Sequence, residues 1–341
     1  MKIGILTGGG DCPGLNPVIR AAVRTALNNN YQVLGVRNGW KGMIEGDTIP
    51  MDLAAVSGIL HRGGTILGTS RTNPYKDPKN IDKIRDSFKK LGLDALIAVG
   101  GEDTLGAGAK LFKDGFKVVG VPKTIDNDLS GTDFTFGFDT AVNIAMEAID
   151  RLHTTAESHH RTMVVEVMGR HAGWIALHSG LAGGADLILV PEFPIKMQEV
   201  CDVLKKRADR GKSFSIIVVA EGAKFDGSEV LLEQKLDDFG HVRLGGIGET
   251  LAKKIEEKTG YETRVTVLGH IQRGGSATAF DRVLGTRFGA KAVELVKEGK
   301  FGQMVALRAN EIISIPMETA VGTLKVVDKA FYDPEGRRLR S

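Results

Sequence analysis

Cysteine is scarce in this chain, since only Cys12 and Cys201 occur among 341 residues. Two thiols so far apart in sequence provide neither a disulfide framework nor the closely spaced ligands of a zinc cluster, which indicates a reducing compartment. The first residues also lack the apolar core of a signal peptide, and no apolar run approaches the length of about 20 residues that a membrane-spanning helix needs. We therefore expect a cytoplasmic protein.

A large excess of one charge is absent as well. Lysine and arginine number 45 and aspartate and glutamate 42, so the formal net charge is only +3 and is spread along the chain. This balance provides neither a basic stripe for nucleic acid nor a polybasic patch for a membrane surface, and we expect neither partner. Hydrophobic residues make up 42% of the chain, enough for the cores of two domains or of one very large α/β unit.

Short β-branched runs alternate with amphipathic stretches along the chain. This pattern is typical of βαβ units and predicts an α/β fold with mostly parallel sheets. Strands are predicted at residues 3–6, 32–36, 95–99, 118–121, 163–167, 187–190, 215–220 and 264–267. Helices are predicted at residues 17–27, 81–91, 140–157, 199–209, 246–258 and 281–297. Pro17 is expected at the first helical position, where proline is favoured.

The elements divide into two expected Rossmann-like domains, residues 1–139 and residues 140–300. A boundary is placed after Asp139 because acidic loops there give way to a long helical pattern. The segment from about residue 300 to residue 341 is expected to pack back on the first domain. Ligands should collect at the carboxyl ends of the parallel strands.

Two glycine-rich loops are candidates for phosphate binding. TGGGDCPGLN at residues 7–16 follows the first strand and contains Gly10, and RGGTILGTSR at residues 62–71 ends in Arg71. Missing β-carbons let backbone amides approach a phosphate, and an arginine can reach a transferring phosphoryl group. Neither loop fits G-x-G-x-x-G or G-x-x-x-x-G-K-[ST], so a plain turn and a surface arginine remain alternatives.

Two acidic loops favour a site for phosphate and magnesium. GGEDT at residues 100–104 and PKTIDND at residues 122–128 each follow a strand, and carboxylates beside phosphate need a bridging divalent cation. Glu102 could hold Mg²⁺, while Asp103 and Thr104 could instead cap a helix. Asp126 could take a proton from a substrate hydroxyl and Asp128 could help hold the metal, with an Asx-turn as the alternative.

The sequence resembles a known family throughout residues 1–287. TGGGDCPGLN, RGGT-LG-SR, GGEDT, PKTIDND, GFDTA, EVMGRHAGW, PE and VLGHIQRGG follow one another in the order and at about the spacing of the 6-phosphofructokinase family. The resemblance implies transfer of a phosphoryl group to the 1-hydroxyl of fructose 6-phosphate, with Mg²⁺, giving fructose 1,6-bisphosphate. It also implies that the first domain binds the donor and Mg²⁺ and the second binds fructose 6-phosphate.

The family's functional positions carry over residue by residue. Asp126 matches the catalytic base, Arg71 the arginine that contacts the transferring group, and Glu102 the acidic residue associated with magnesium. Thr124 and Lys123 complete the catalytic set, and the donor-binding set is Gly10, Gly101, Asp103, Thr104 and Lys123. The substrate-binding set is Thr124, Asp126, Asp128, Met168, Gly169, Arg170, Glu221, His270 and Arg273, joined by Arg161 and Arg264. The last two match positions that bind the 6-phosphate from a neighbouring subunit, which implies a homo-oligomer.

The donor is predicted from a departure from the ATP-using pattern. ATP-using members generally resemble GG(D/E)G(S/T), with glycine where this chain has Asp103, because the nucleotide's α-phosphate passes over that point. A carboxylate there would oppose that phosphate by about a few kcal/mol if desolvated, whereas pyrophosphate avoids the contact and leaves Asp103 to close the nucleotide end. Lys123 also resembles the pyrophosphate-dependent branch, although lysine occurs there in some ATP-using relatives. We predict a pyrophosphate-dependent and therefore reversible phosphotransferase.

Three other functions remain open at this stage: an ATP-dependent 6-phosphofructokinase, a non-catalytic module for sugar phosphates or nucleotides, and a Rossmann-type oxidoreductase. The missing G-x-G-x-x-G and the surplus of carboxylates count against a dinucleotide. A pure binding module would have little use for Asp126 beside metal ligands.

Overall fold

The computed structural model of the chain describes residues 1–227 and 245–332. Residues 228–244 of the expected second domain and residues 333–341 of the expected C-terminal segment lie outside this description. Twelve strands in the described part form two sheets. They are β1 (Lys2–Thr7), β2 (Gln32–Val36), β3 (Thr48–Pro50), β4 (Ala95–Gly100), β5 (Val118–Thr124), β6 (Phe136–Gly137), β7 (Thr162–Val167), β8 (Leu187–Leu189), β9 (Ser215–Ala220), β10 (Thr263–Val267), β11 (Gln303–Arg308) and β12 (Glu311–Pro316).

The larger sheet is assembled from both ends of the described chain. Its order is β12-β11-β5-β4-β1-β2-β3, with β6 paired to β5. The pairs β11–β12 and β2–β3 are antiparallel and the other pairs are parallel. Strand β4 (ALIAVG) is buried at every residue, as a continuous apolar run in the middle of a parallel sheet should be.

The smaller sheet has the order β10-β7-β9-β8, and all its neighbouring strands are parallel. The prediction of an α/β fold with mostly parallel sheets is confirmed. In both sheets the carboxyl ends of the strands lead into the loops singled out by sequence.

Eleven α-helices in the described part connect these strands. They are α1 (Leu15–Asn28), α2 (Trp40–Glu45), α3 (Lys79–Leu91), α4 (Glu102–Lys113), α5 (Phe138–His159), α6 (Trp174–Ala182), α7 (Met197–Asp209), α8 (Ile247–Thr259), α9 (Ala279–Lys297), α10 (Met317–Val321) and α11 (Lys329–Tyr332). Short 3-10 helices occupy Pro74–Lys76 and Gly269–Arg273. No described helix has both the length and the apolar character needed to cross a membrane.

The predicted strands and helices are confirmed within a few residues at their ends, with one error at α1. This helix begins at Leu15, so Pro17 is its third residue and not its first. Proline is still tolerated there because the amides of the first turn have no intrahelical acceptor. Strands β3, β6, β11 and β12 and helices α2, α10 and α11 were not predicted, whereas α4 and α6 fall between predicted strands where helices were expected without bounds.

Helices α1 and α9 pack closely because α9 has glycines on the contacting face. A β-carbon at Gly289 would lie 2.4 Å from Val18 O, and one at Gly285 would lie 3.0 Å from Gly14 O. Such distances are shorter than van der Waals contact, so a side chain at either position would push the helices apart. The close approach holds the end of the glycine-rich loop, at Gly14, against α9.

Candidate active site

The two glycine-rich loops touch each other at the carboxyl end of β1. Gly9 N donates a hydrogen bond of 3.2 Å to Ser70 O, and Thr69 Oγ1 donates one of 2.6 Å to Gly9 O. Arg71 directly follows this contact and is exposed at the surface. The structure therefore brings Arg71 beside the loop that contains Gly10.

Helix α4 presents its N-terminus next to these loops. Gly101 is the N-cap, so Asp103 and Thr104 do not occupy the N-cap position, and Asp103 lies in the first turn, where a negative charge suits the helix dipole. Glu102 begins the helix, and the amides of its first turn lack intrahelical acceptors, which suits this turn to phosphate. Thr104 is 2% exposed and packs so closely on the glycine loop that a β-carbon at Gly8 would lie 2.6 Å from its Oγ1.

An open cleft of about 520 Å³ adjoins Asp103. Its walls include Asn73, Tyr75 and Lys110, and the Lys110 ammonium lies 5.4 Å from the centre of the Tyr75 ring. This volume is within the range of small-molecule sites. The space beside Asp103 is open, so any exclusion of ATP would rest on the side chain of Asp103 itself, and this role of Asp103 stays a prediction.

Lys123 is buried against the glycine-rich loop. Lys123 is 3% exposed, and its side-chain nitrogen donates a hydrogen bond to Gly10 O. Burial lowers the pKa of this ammonium and the charge of Arg273 lowers it further, whereas the carboxylates of Asp11 and Asp126 raise it. The Lys123 side chain is thus fixed against the glycine-rich loop at residues 7–16.

Asp126 lies in the loop after β5, among cations from different parts of the chain. Its backbone N donates to Thr124 Oγ1 at 3.1 Å, while its Oδ1 is buried and has no hydrogen-bond partner within the described residues. Burial raises the pKa of this carboxyl, and the charges of Arg273, Arg170 and Lys123 act in the opposite direction. An unpaired, desolvated carboxylate can accept a proton from a substrate hydroxyl, as a general base does.

Further carboxylates crowd the same region. Burial raises the pKa of Asp128 to about 7, and the charges of Asp126 and Glu102 add to this rise. Burial also raises the pKa of Glu221 to about 7, again with a contribution from Asp126. No group of three or more His, Cys, Asp or Glu side chains in the described chain is arranged to hold a metal ion alone. Mg²⁺ usually takes one or two carboxylates together with substrate phosphates, so this excess of negative charge fits an ion that arrives with a substrate.

The predicted sugar-phosphate residues meet at the carboxyl ends of β7 and β9. Glu221 follows β9. Gly222 N donates a hydrogen bond of 3.1 Å to Gly169 O, which connects the loop after β9 to the loop after β7. Position 222 requires glycine, because a β-carbon there would lie 1.9 Å from Arg170 O. Met168 begins the loop after β7, so all four predicted residues of these two loops lie together.

The short 3-10 helix after β10 links the two sheets. Its Gln272 Oε1 accepts a hydrogen bond of 3.4 Å from Met168 N, and Arg273 Nη1 donates one of 3.1 Å to Asp11 O. Arg273, predicted to bind the sugar phosphate, therefore contacts the glycine-rich loop at residues 7–16, here called the donor loop. His270 belongs to the same 3-10 helix and is exposed.

Arg161 and Arg264 lie apart from the other predicted residues. Arg161 directly precedes β7 and Arg264 is the second residue of β10, so both lie at the amino ends of parallel strands, opposite the end occupied by Arg170. Both guanidinium groups contact Glu262, with 2.9 Å between Arg161 Nη2 and Glu262 Oε1. The structure does not bring these two arginines into the site of their own chain.

Sequence reasoning overlooked two charged residues near the base. The carboxylate of Asp11 raises the pKa of Lys123, and a positive charge on His171 lowers the pKa of Asp126. Both residues lie inside the motifs TGGGDCPGLN and EVMGRHAGW. Their place in these motifs was the one signal available from sequence.

Replacing Asp128 by asparagine should stabilise the protein at high pH. The pKa of Asp128 is about 7 in the folded chain against an ordinary value of 3.8, so its contribution to stability is present at low pH and is lost as pH rises toward 7. Without metal or substrate, Asp128→Asn should raise Tm by about 2 °C or more at pH 8 and by clearly less near pH 5.5.

Calorimetry in EDTA at both pH values tests this expectation. Asp209→Asn, at an exposed carboxylate that ends α7, is the matched control and should show no such pH dependence. An equal shift at both pH values, or none, would contradict the cost assigned to the ionised Asp128.

Comparison with known proteins agrees with the geometry. A sequence profile described as Phosphofructokinase matches residues 2–296. A Streptomyces coelicolor protein named pyrophosphate–fructose 6-phosphate 1-phosphotransferase is 60% identical over 339 residues, which covers 98% of this chain and 99% of that protein. Another protein of that organism, named ATP-dependent 6-phosphofructokinase 3, is 53% identical over 334 residues, covering 97% of this chain and 98% of its own length.

A solved structure extends the likeness to the fold. The crystal structure of Pichia pastoris phosphofructokinase in the T-state matches with a TM-score of 0.83 and 32% identity over 94% of this chain. This chain spans 35% of that longer chain. The profile covers most of the sequence, and the first relative is similar from end to end. The chain belongs to the phosphofructokinase family.

Proposed function

We propose that this protein is a pyrophosphate-dependent phosphofructokinase. It transfers a phosphoryl group from diphosphate to the 1-hydroxyl of D-fructose 6-phosphate, giving fructose 1,6-bisphosphate and phosphate, and the reaction is reversible. The donor assignment rests on the carboxylate of Asp103, the second residue of α4, in a first turn whose amides suit phosphate. The relative at 60% identity, named for the same reaction, supports the assignment.

Asp126 is the proposed general base. Its carboxylate takes the proton of the 1-hydroxyl while the hydroxyl oxygen bonds to the transferred phosphorus and the bond to the bridging oxygen of diphosphate breaks, releasing phosphate. Burial makes the carboxylate more basic, and the charges of Arg273 and Arg170 act in the opposite direction and favour its ionised form. Arg71, Lys123 and the loop amides stabilise the charge of the transferred group.

Mg²⁺ is the proposed cofactor, associated with Glu102. The carboxylates of Glu102 and Asp128 influence each other's charge beside the donor loops, and this excess of negative charge fits a divalent ion. Bound together with diphosphate, Mg²⁺ would neutralise the charge of the donor oxygens. The protein's part is to supply the carboxylates and the phosphate-binding amides on one edge of the larger sheet.

The acceptor is proposed to lie against the loops of the smaller sheet. Glu221 accepts hydrogen bonds from sugar hydroxyls, and the loop of Met168, Gly169 and Arg170 lies beside it. Arg170 supplies charge-assisted contacts to the phosphorylated sugar. The donor is proposed to bind to a first domain, residues 1–139, and the acceptor to a second, residues 140–300. Arg273 of the second contacts the donor loop of the first.

A homo-oligomer is proposed because Arg161 and Arg264 lie at the amino ends of strands in the smaller sheet, opposite the candidate site. Their side chains are 31% and 51% exposed, and from that position they cannot reach the site of their own chain. In a dimer or tetramer they would reach the 6-phosphate bound by a neighbouring subunit, where a guanidinium is well suited to phosphate.

The cytoplasm is the proposed location. Cys12 and Cys201 are both buried free thiols. Free thiols are common where the redox potential keeps cysteine reduced.

Steady-state rates with the two donors test the proposal. At equal donor concentration, with saturating fructose 6-phosphate and Mg²⁺, pyrophosphate should give kcat/KM at least about ten times that of ATP, because one decade corresponds to about 1.4 kcal/mol of transition-state stabilisation and a desolvated charge contact exceeds this. The reverse reaction, with fructose 1,6-bisphosphate and phosphate, should release pyrophosphate.

Turnover with ATP that equals or exceeds turnover with pyrophosphate would assign the chain to the ATP-dependent enzymes. The relative at 53% identity and the open cleft beside Asp103 make this the alternative worth measuring. Binding of fructose 6-phosphate with no transfer from either donor would instead favour the non-catalytic module.

A further inference from the structure

The segment after α10 crosses from the larger sheet to the smaller one and touches loops of both. Leu324 pairs in antiparallel fashion with Leu129, directly after the acidic loop. The next residue, Lys325, donates its backbone N–H to Asp128 O at 2.9 Å. The segment is therefore hydrogen-bonded to the loop that contains Asp126.

The carbonyl of Lys325 is bonded to the other half of the site. Trp174 Nε1 donates a hydrogen bond of 2.8 Å to Lys325 O. Trp174 begins α6 and follows Arg170 by four residues, so it ends the loop that carries the arginine beside Asp126. The two peptide groups of one residue thus connect the loop of the proposed base to the loop of Arg170.

The side chain of Lys325 strengthens this connection. Its ammonium donates to Thr132 O at 3.2 Å and to Asp133 O, which fixes the turn that follows the acidic loop. The ammonium also lies 5.4 Å from the Trp174 ring and 5.8 Å from the Phe134 ring, within the range of cation–π contacts. Burial lowers the pKa of this ammonium to about 8, so it is charged at neutral pH.

A second attachment lies two residues after Lys325, at Val327, which is bound by the side chain of Glu192. Glu192 Oε1 accepts hydrogen bonds from Val327 N at 2.8 Å and from Gly173 N at 2.9 Å. Gly173 is the N-cap of α6, so the carboxylate joins the C-terminal segment to the start of the same helix. This is a structural reason for glutamate in the PE motif, to which the proposed chemistry gives no role.

We propose that Lys325 is a positioning residue that sets the spacing between the Asp126 loop and the Arg170 loop. This inference rests on the proposed phosphoryl transfer and adds a residue that touches neither substrate. A shift of about 1 Å between a base and the group it serves can cost about a hundred-fold in rate, so a residue that fixes two loops at once can affect kcat without binding anything.

The test compares Lys325→Met with the wild-type enzyme at about pH 7, where the ammonium is charged. Methionine keeps the apolar stem but removes the donors to the turn at Thr132. We expect kcat with pyrophosphate to fall about ten-fold and KM for pyrophosphate to change less than about two-fold, because the donor loops are untouched. Lys325→Arg retains a cation and its donors and should recover most of kcat.

Two further variants keep the test decisive. Lys329→Met makes the same change at an exposed lysine of the same segment and should leave kcat unchanged. Trp174→Phe keeps an aromatic ring but removes the bond to Lys325 O, and it should also lower kcat at constant KM for pyrophosphate. It replaces Lys325→Met as the deciding variant if the latter does not fold.

Some results would overturn the inference. They are a kcat within two-fold of the wild type in Lys325→Met, no recovery in Lys325→Arg, or an unchanged kcat in a folded Trp174→Phe when Lys325→Met cannot be prepared. Wild-type turnover is measured first and separates the two proposals. A wild-type protein without phosphoryl transfer rejects the proposed function, whereas an active wild type with an equally active Lys325→Met rejects only the role of Lys325.

Discussion

Asp126→Asn should lower kcat for phosphoryl transfer from pyrophosphate by about a thousand-fold, within the range that a positioned general base supplies. Asparagine has nearly the shape of aspartate but cannot take the proton of the attacking hydroxyl. Since Asp126 Oδ1 has no hydrogen-bond partner in the described chain, the substitution breaks no side-chain bond at that atom. KM for fructose 6-phosphate should change less than about three-fold.

The loss should appear equally in both directions of the reaction. The group that accepts the proton from the 1-hydroxyl in one direction returns it to that oxygen in the other, so kcat for fructose 1,6-bisphosphate and phosphate should fall by a similar factor. Asp209→Asn is again the matched control, with an unchanged rate expected at this exposed position. A rate within ten-fold of the wild type in a folded Asp126→Asn variant would remove Asp126 as the base.

Asp103→Gly should raise kcat/KM for ATP by about a hundred-fold, which corresponds to about 3 kcal/mol of relieved repulsion and crowding. The cleft of about 520 Å³ beside Asp103 already offers space for a group the size of a nucleoside, so the variant need not create a pocket. Pyrophosphate should remain a substrate, since the loop amides and Lys123 are unchanged. Parallel steady-state kinetics with both donors measure the shift.

Asp103→Asn separates the two causes of ATP exclusion. It removes the charge but keeps almost the same volume, so a gain close to that of glycine would indicate electrostatic exclusion, and a small gain would indicate steric exclusion. Glycine at the second position of α4 costs about 1 kcal/mol of helix stability, so thermal unfolding should accompany the kinetics. If a folded glycine variant that still uses pyrophosphate gains no activity with ATP, Asp103 does not select the donor.

Much of the fold followed from sequence because periodicity and burial agree in the central elements. Strands such as β4 and β9 are continuous apolar runs that are buried at every residue, and the long helices between them are amphipathic. A helix was expected after GGEDT, but α4 begins at Glu102, because residues 102–104 were assigned to a loop on account of their charge. Strands β11 and β12 were not predicted, since their place depends on pairing with β5, about 180 residues earlier in the chain.

Site residues that lie within sequence motifs were predicted, whereas a site residue outside any motif was not. The structure brings Lys123, Asp126, Arg170, Glu221 and Arg273 within electrostatic reach of one another, while their roles stay predictions. Arg161 and Arg264 lie at the amino ends of β7 and β10, away from these residues. This position is compatible with the prediction that they act in the site of a neighbouring subunit. Lys325 had no sequence signal, because a single lysine in an ordinary segment acquires meaning only through the loops it contacts.

The order of strands in the larger sheet has a consequence for how the protein is made. Strand β11 lies between β5 and β12, so the edge of β5 that it covers stays bare while the ribosome translates the whole smaller sheet. The loop of Asp126 follows that same strand. Nascent chains that end before residue 316 would therefore expose an unprotected backbone edge beside the catalytic loop, and such an edge favours aggregation.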